Sequence, residues 1–298
     1  MHDLVDRHLL RLQLERRLAR NTLAAYGSDL ARHLAWLHDR AIVGAGEVTP
    51  QQLREYLAEL HEAGLAPRSR ARARATLRGF YSFLVQEGVL QSDPAREIEA
   101  PRLRRDLPRS LREDDLDRLL AAAGGPASSD RRDRALLELA YGAGLRVSEL
   151  VALRSDQLDL EDRWVRVIGK GSKERILPLG RQASEALRGY LATARAELLG
   201  KRTDDGVLFR NARGGPLSRM GFWRILRQRG TRGGLDVSQL HPHLLRHTYA
   251  THLVERGASL RVVQELLGHA QVKTTEIYTA VDRDRLRQVH ETCHPRGG

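Results

Sequence analysis

The sequence predicts a mainly α-helical protein with a small β-hairpin, in which an all-helical N-terminal domain precedes an α+β domain. Three features predict this class: helical spacing of apolar residues from residue 4 to about residue 88, a proline-rich break, and one pair of alternating segments. A chain of 298 residues is long enough for two domains, each with its own core.

The N-terminal region has the spacing and the stop signals of four helices. Thr49 and Pro50 form a good N-cap and first-turn pair, while Gly64 and Pro67 separate the last two helices. The predicted helices span residues 3–18, 21–40, 50–63 and 67–87.

The fourth of these helices has a basic first half and an apolar second half. No acidic residue lies between Glu62 and Glu87 to balance its arginines. A solvated charge run is the alternative, but an unbalanced basic face favours contact with DNA. The arginines predicted to bind DNA are Arg68, Arg70, Arg72, Arg74 and Arg78.

Helical periodicity stops after Asp93 and resumes near Arg109. Pro94, Pro101 and Pro108 punctuate this stretch, which predicts an interdomain linker. Its arginines, also predicted to contact DNA, are Arg102, Arg104 and Arg105. The predicted organisation is a helical domain over 1–93, a basic linker over 94–108 and a second domain over 109–298.

Residues 164–168 and 175–179 alternate like strands around a glycine-containing turn, which predicts a β-hairpin. The chain has only four lysines, and two of them, Lys170 and Lys173, fall in this turn. Lysine can give up its proton where arginine cannot, so Lys170 is a candidate general acid. An exposed turn lysine without a catalytic role is the alternative.

Composition narrows the functional classes without choosing one. The formal charge of +12 favours a polyanionic partner, although a basic chain can also simply be soluble. The single cysteine, Cys293, cannot form an internal disulfide, and the sequence has neither a secretory signal pattern nor an apolar run long enough to cross a bilayer. These features predict a cytoplasmic protein without membrane insertion.

Three further positions in the second domain have the context of a phosphate site. Arg146 follows a glycine-bearing turn at a predicted helix start, and His243 and Arg246 share one helix face. His243 and His247 have a metal-ligand spacing, but no glutamate or cysteine ligand accompanies them, so no metal is predicted. Tyr278 is a nucleophile only if nearby cations favour its oxyanion.

These residues, in this order, resemble the tyrosine recombinases of the phage integrase family, and within them the Xer recombinases. The resemblance covers essentially the whole chain. The matching segments are 144–150, 167–175, 242–247, 260–269 and 274–278.

The resemblance implies a role for each matching residue. Arg146 and Arg246 would hold the scissile phosphate, Lys170 would protonate the leaving 5′ oxygen, and Tyr278 would form a 3′-phosphotyrosyl link. His243 resembles the acid/base histidine, and His269 a histidine that hydrogen-bonds the phosphate. Lys173 joins the predicted DNA contacts. Neither a metal nor another cofactor is implied, and no ATP is needed because the covalent link conserves the phosphodiester energy.

The resemblance also implies partners and an assembly. The N-terminal region would be a core-binding domain of the SAM-like type, and the enzyme would act on a double-stranded recombination site through a Holliday junction. It would form a homotetramer, or a heterotetramer with a paralogous Xer recombinase, with a septal DNA translocase as a further partner and chromosome dimer resolution as its role. A phage- or transposon-type integrase, a type IB topoisomerase and a silent DNA-binding accessory protein are the alternatives.

Overall fold

The computed structural model describes residues 1–15, 18, 20–98, 110–169, 174–268 and 280–298. The chain divides into two compact units, Met1–Asp106 and Leu107–Gly298. Each unit has its own cluster of buried apolar side chains. The mainly helical class with one small sheet is confirmed.

The N-terminal unit contains the four predicted helices. Helix α3 begins where the sequence indicates, because the Thr49 hydroxyl accepts a hydrogen bond from the Gln52 amide at 3.2 Å and the Gln52 side chain accepts one from the Thr49 amide at 2.8 Å. The first helix ends four residues earlier than predicted. The helices are α1 (His2–Leu14), α2 (Arg20–His38), α3 (Pro50–Glu62) and α4 (Pro67–Gln86).

The core of this unit packs the second half of α4 against α2 and α3. Phe80 and Tyr81 are fully buried there beside Leu30 and Leu53. The Tyr81 hydroxyl hydrogen-bonds the His33 ring at 2.8 Å, which satisfies a polar group in the apolar interior. The apolar half of α4 is therefore a core element, as its sequence indicates.

The predicted linker is only partly described. Ala95 and Ile98 are buried in the core of the N-terminal unit, so packed chain continues beyond residue 93. Residues 99–109, which include Arg102, Arg104 and Arg105, lie outside the described residues.

The second unit is built from helices around one buried core. The long helix after the sheet contains a π-helical turn at Tyr190–Ala194 between two α-helical parts. The helices are α5 (Glu113–Ala121), α6 (Ser128–Gly142), α7 (Val147–Ala152), α8 (Arg181–Gly189), α9 (Arg195–Leu199), α10 (Arg219–Arg232), α11 (Pro242–Glu255), α12 (Leu260–Leu267) and α13 (Ala280–Cys293).

A three-stranded antiparallel sheet packs against these helices in the order β1 (Leu158–Asp159), β2 (Trp164–Ile168) and β3 (Glu174–Pro178). The predicted hairpin is confirmed, with Val167 opposite Arg175, whereas the two-residue strand β1 was not predicted. The hairpin turn at 170–173 lies outside the described residues.

Helix α13 and the residues after it are tied to the same unit. The His290 ring donates to the Gly142 carbonyl at 2.8 Å, and Arg296 forms a paired hydrogen bond with Glu138 at 2.8 and 3.1 Å. Among the described helices, none combines the length and the apolar character needed to cross a bilayer.

One arginine of the basic half of α4 has a partner inside the N-terminal unit. Arg72 donates to both carboxylate oxygens of Asp29, at 2.8 and 3.0 Å, and the Asp29 side chain is only 1% exposed. A buried carboxylate needs such a partner, so this pair fastens α4 to α2.

We expect Arg72→Ala to lower the free energy of unfolding of the N-terminal unit by roughly 2–3 kcal/mol, because it removes a charged, paired hydrogen bond from a buried carboxylate. Arg78→Ala, at an exposed position of the same helix, should change it by less than about 0.5 kcal/mol. Hydrogen exchange of the α2 and α4 amides measures both. Equal effects of the two substitutions would contradict a structural role for the Arg72–Asp29 pair.

Candidate active site

Three arginines from three different elements meet at the C-terminal end of α12. The last carbonyls of a helix have no partner within it and carry partial negative charge, so they are natural acceptors for cations. Three consecutive carbonyls are used here: Leu266 accepts from Arg175 Nε at 3.3 Å, Leu267 from Arg246 Nη2, and Gly268 from Arg146 Nη2 at 3.1 Å.

Gly268 gives this helix end its shape. It adopts a left-handed conformation, with φ 66°, and its own amide donates back to the Glu265 carbonyl at 3.0 Å. A Cβ at this position would lie 3.1 Å from Cδ of Arg175. The glycine therefore both ends the helix and lets an arginine side chain approach its backbone.

Arg146 reaches the site from the turn between α6 and α7. Gly144 makes this turn with φ 58°, and a Cβ there would lie 2.5 Å from the ring of Tyr249, so only glycine fits. Arg146 occupies the N-cap position of α7, as the sequence indicates, and its side chain is 37% exposed.

Glu149, on the first turn of α7, is the carboxylate that holds the cluster. One of its oxygens accepts from the Arg146 amide and the other from Arg146 Nη1, both at 2.8 Å. Arg175 donates to the same two oxygens, both at 2.9 Å. Burial raises the pKa of Glu149, but the hydrogen bonds and charges of Arg175 and Arg146 outweigh burial and hold the pKa at about 2.

Arg246 comes from the second turn of α11, a helix capped by the His241 ring, which accepts from the Leu244 amide at 3.1 Å. Its guanidinium donates to the Gly144 carbonyl at 2.8 Å as well as to Leu267. Burial, then the charges of Arg146 and Arg175, lowers the pKa of Arg246 to about 10. The side chain is therefore cationic at neutral pH but held at an electrostatic cost.

The cluster has a surplus of positive charge. Arg146, Arg175 and Arg246 contribute three cations, and within the described residues only Glu149 hydrogen-bonds them as an anion. A phosphodiester attacked by an oxyanion acquires about two negative charges in its pentacoordinate state, which matches the two unbalanced cations. The arrangement is suited to bind a phosphate and to stabilise that state.

Arg175 was not predicted as a site residue. Its side chain is 7% exposed, and the sequence signal was present in the strand pattern, because Arg175 and Leu177 lie on the same face of β3. A charged residue at an inward-facing strand position needs a buried partner, and no partner could be assigned from the sequence alone.

The other predicted site residues are described only in part. His243 is exposed on the first turn of α11, one helical turn before Arg246. Lys170, Lys173, His269 and Tyr278 lie outside the described residues. His252 is a packing histidine, because it bonds the Tyr141 hydroxyl at 2.8 Å and the Leu111 carbonyl at 3.0 Å.

Comparisons with known proteins match both the N-terminal region and the region that contains the arginine cluster. The profile of the phage integrase family matches residues 109–285, and that of the N-terminal SAM-like domain of phage integrases matches residues 5–88. The tyrosine recombinase XerD of Chlorobaculum tepidum is 44% identical over 289 residues, which cover 96% of this chain and 94% of that protein.

Two solved structures share the fold. A XerH site-specific recombinase bound to a palindromic difH substrate, in a post-cleavage complex, has a TM-score of 0.72 at 24% identity and covers 92% of this chain and 80% of that one. A lambda integrase tetramer bound to a Holliday junction has a TM-score of 0.69 at 23% identity, and the match covers 91% of this chain and 75% of the integrase chain.

The fold, the arginine cluster and these matches define an enzyme that cuts and rejoins DNA at specific sites. The chain belongs to the phage integrase family of tyrosine recombinases.

The low pKa of Glu149 has a consequence for stability. Because the folded value of about 2 lies below the ordinary 4.5, ionised Glu149 stabilises the fold above pH 4.5, and this contribution is lost as the pH falls towards 2. A shift of this size corresponds to roughly 3 kcal/mol.

We expect the difference in unfolding free energy between the wild type and Glu149→Gln to shrink by that amount between pH 4.5 and 2. Urea unfolding at a series of pH values measures the difference. A difference that does not change with pH would show that the Glu149 pKa is not lowered.

Proposed function

We propose that Tyr278 attacks the scissile phosphate, with Arg146 and Arg246 stabilising the charge that develops. The phenolic oxygen gives its proton to His243 and forms a bond to phosphorus, the bond to the 5′ oxygen breaks, and Lys170 gives that oxygen its proton. The observation that carries this proposal is that both arginines bond the backbone of residues 267 and 268, directly before His269 in the sequence.

The remaining site residues have supporting roles in this proposal. His243, on the helix that also carries Arg246, would be the acid/base histidine beside the phosphate, and His269 would hydrogen-bond the phosphate. The cations are side chains, so the reaction needs neither a metal ion nor ATP.

We also propose that the basic half of α4 and the linker arginines contact DNA. Arg70, Arg74 and Arg78 follow each other at intervals of four and so lie on one face of α4. Nε of Arg70 and both Nε and Nη1 of Arg74 are buried without a hydrogen-bond partner, and burial, then the charges of Arg70 and Arg78, lowers the pKa of Arg74. The repulsion among these clustered cations and the exposed position of Arg78 favour a phosphate ligand on this face, whereas Arg72 already has Asp29 as its partner.

In the cell, we propose a cytoplasmic recombinase that resolves chromosome dimers at a double-stranded recombination site. The 44% identity to the XerD of Chlorobaculum tepidum, against 28% to the integrase of mycobacterium phage Brujita, supports this role over that of a phage- or transposon-type integrase. The active form would be a tetramer, homomeric or shared with a paralogous Xer recombinase, that passes through a Holliday junction and works with a septal DNA translocase. The fold shared with a lambda integrase tetramer on such a junction supports the assembly.

We expect covalent trapping to identify both the nucleophile and the DNA site. The protein is incubated in EDTA, without ATP, with fragmented genomic DNA from its source organism, and adducts that survive denaturation are sequenced. The wild type should enrich one short sequence, and Tyr278→Phe should give no adduct although it still binds that sequence in a mobility-shift assay.

Arg146→Ala and Arg246→Ala should each slow adduct formation on the trapped site by roughly 10²-fold or more, because each removes a donor to the developing charge. A Tyr278→Phe adduct would rule out this nucleophile. Adduct formation only after magnesium is restored would rule out catalysis by side-chain cations alone.

We expect the Arg70→Ala/Arg74→Ala double variant to bind a duplex carrying the trapped site more weakly and with a shallower salt dependence. Each lost phosphate contact should reduce the slope of log K against log [salt] by about 0.9. Arg40→Ala is the control, because Arg40 is already paired with Glu59 and stacked 3.9 Å from the centre of the Trp36 ring. Equal slopes for the double variant and the wild type would contradict the assignment.

A further inference from the structure

Arg175 stands apart from the other two arginines of the cluster. It is 7% exposed, against 37% for Arg146, and both of its terminal nitrogens donate to Glu149. We propose that Arg175 is a positioning residue for strand cleavage, which orients Arg146 through Glu149 and holds the end of α12 through the Leu266 carbonyl. The inference rests on the proposed role of Arg146 at the scissile phosphate.

The hydrogen bonds form a continuous chain from β3 to Arg146. Arg175 holds both oxygens of Glu149 in a planar, paired arrangement, which leaves the carboxylate one orientation. In that orientation Glu149 fixes both the backbone and the side chain of Arg146, each at 2.8 Å. Without Arg175, the carboxylate would be free to turn and Arg146 would lose its fixed direction.

Arg175 also bonds a second group, through the donor that Glu149 does not use. Its Nε donates to the Leu266 carbonyl, next to the carbonyls that Arg246 and Arg146 occupy. Arg175 also lies on β3, opposite Val167 in the strand that leads into the hairpin turn. One side chain therefore connects the hairpin, the start of α7 and the end of α12.

Only arginine meets this geometry. Lysine would keep the charge beside Glu149 but has no planar fork, so it cannot bond both oxygens and the Leu266 carbonyl with fixed angles. Methionine would fill a similar volume without charge or donors. The pair of substitutions separates the charge of Arg175 from its shape.

We expect Arg175→Met to slow cleavage by roughly 10²-fold, the size of effect that follows when a reacting group is displaced by about 1 Å. Binding should stay within a few-fold of wild type, because the side chain is buried. The probe is a nicked suicide duplex that carries the trapped site, and the rate of phosphotyrosyl adduct formation is the readout.

The pH profile distinguishes positioning from general destabilisation. Among the described residues of the wild type, the charged groups that face Glu149 are Arg146, Arg175 and Arg246, and the carboxylate is ionised throughout the assay range. Removing Arg175 leaves only the hydrogen bonds of Arg146 to oppose burial, so the pKa of Glu149 rises, and cleavage by Arg175→Met should fall at low pH and recover as the pH rises. The double variant Arg175→Met/Glu149→Gln should lack this acid limb, meaning the loss of cleavage rate at low pH. Arg175→Lys should cleave more slowly than the wild type at every pH but should not show the acid limb.

Arg132 provides a matched control. It is 8% exposed and pairs with Asp133, a buried carboxylate that keeps a second arginine, Arg229, when Arg132 is removed. In the same way, Glu149 keeps Arg146 as a partner when Arg175 is removed. Arg132→Met should therefore lower thermal stability comparably, but its cleavage rate should stay within a few-fold of wild type and its pH profile should not change.

The outcomes separate this inference from the proposed function. A slow Arg175→Met variant with an acid limb, beside a normal Arg132→Met variant, supports positioning. Wild-type rate and profile for Arg175→Met, with Arg146→Ala inactive, would overturn the inference alone. Activity of Arg146→Ala near the wild-type level would overturn the proposed phosphate contact itself. If Arg175→Met does not fold, the folded Arg175→Lys variant decides, and a wild-type rate there overturns the inference.

Discussion

The buried carboxylate of Glu149 determines where the three arginines of the active-site cluster lie. Three guanidiniums brought together in a partly buried space repel one another, and burial, then the charges of Arg146 and Arg175, lowers the pKa of Arg246. Glu149 neutralises one of the three charges and bonds two of the side chains. The residual attraction for anions is then concentrated where Arg146 and Arg246 keep exposed surface. The fold thus carries a surplus of positive charge at a site where each guanidinium has hydrogen-bond partners.

The second constraint is the end of a helix. The last carbonyls of α12 accept hydrogen bonds from arginines at the N-cap of α7, on α11 and on β3, which are far apart in sequence. Each hydrogen bond is modest, but together the three bonds fix the position of residues 266–268. Because the arginines use only some of their donors on these carbonyls, others remain for a ligand. The same groups can therefore serve both structure and chemistry.

Much of this arrangement was predictable from sequence, and the failures have physical causes. The helices and the hairpin follow from apolar spacing and from caps such as Thr49, which are local features. Arg146 and Arg246 were identified from local context and from the family's motifs. The inward direction of Arg175 and the pairing of Arg72 with Asp29 depend on partners 26 and 43 residues away, which no local pattern specifies. Strand β1 was missed because two residues are too few to show a period.

The near absence of lysine has a practical consequence for studying this enzyme. Of four lysines, Lys201 lies in an exposed turn after α9, two belong to the hairpin turn, and Lys273 lies five residues before Tyr278. Amine-reactive reagents, which modify dozens of positions on an ordinary protein of this size, have four side-chain targets here. Acylation mass spectrometry would therefore report on the surroundings of the site almost without background, with Lys201 as an internal reference for solvent access.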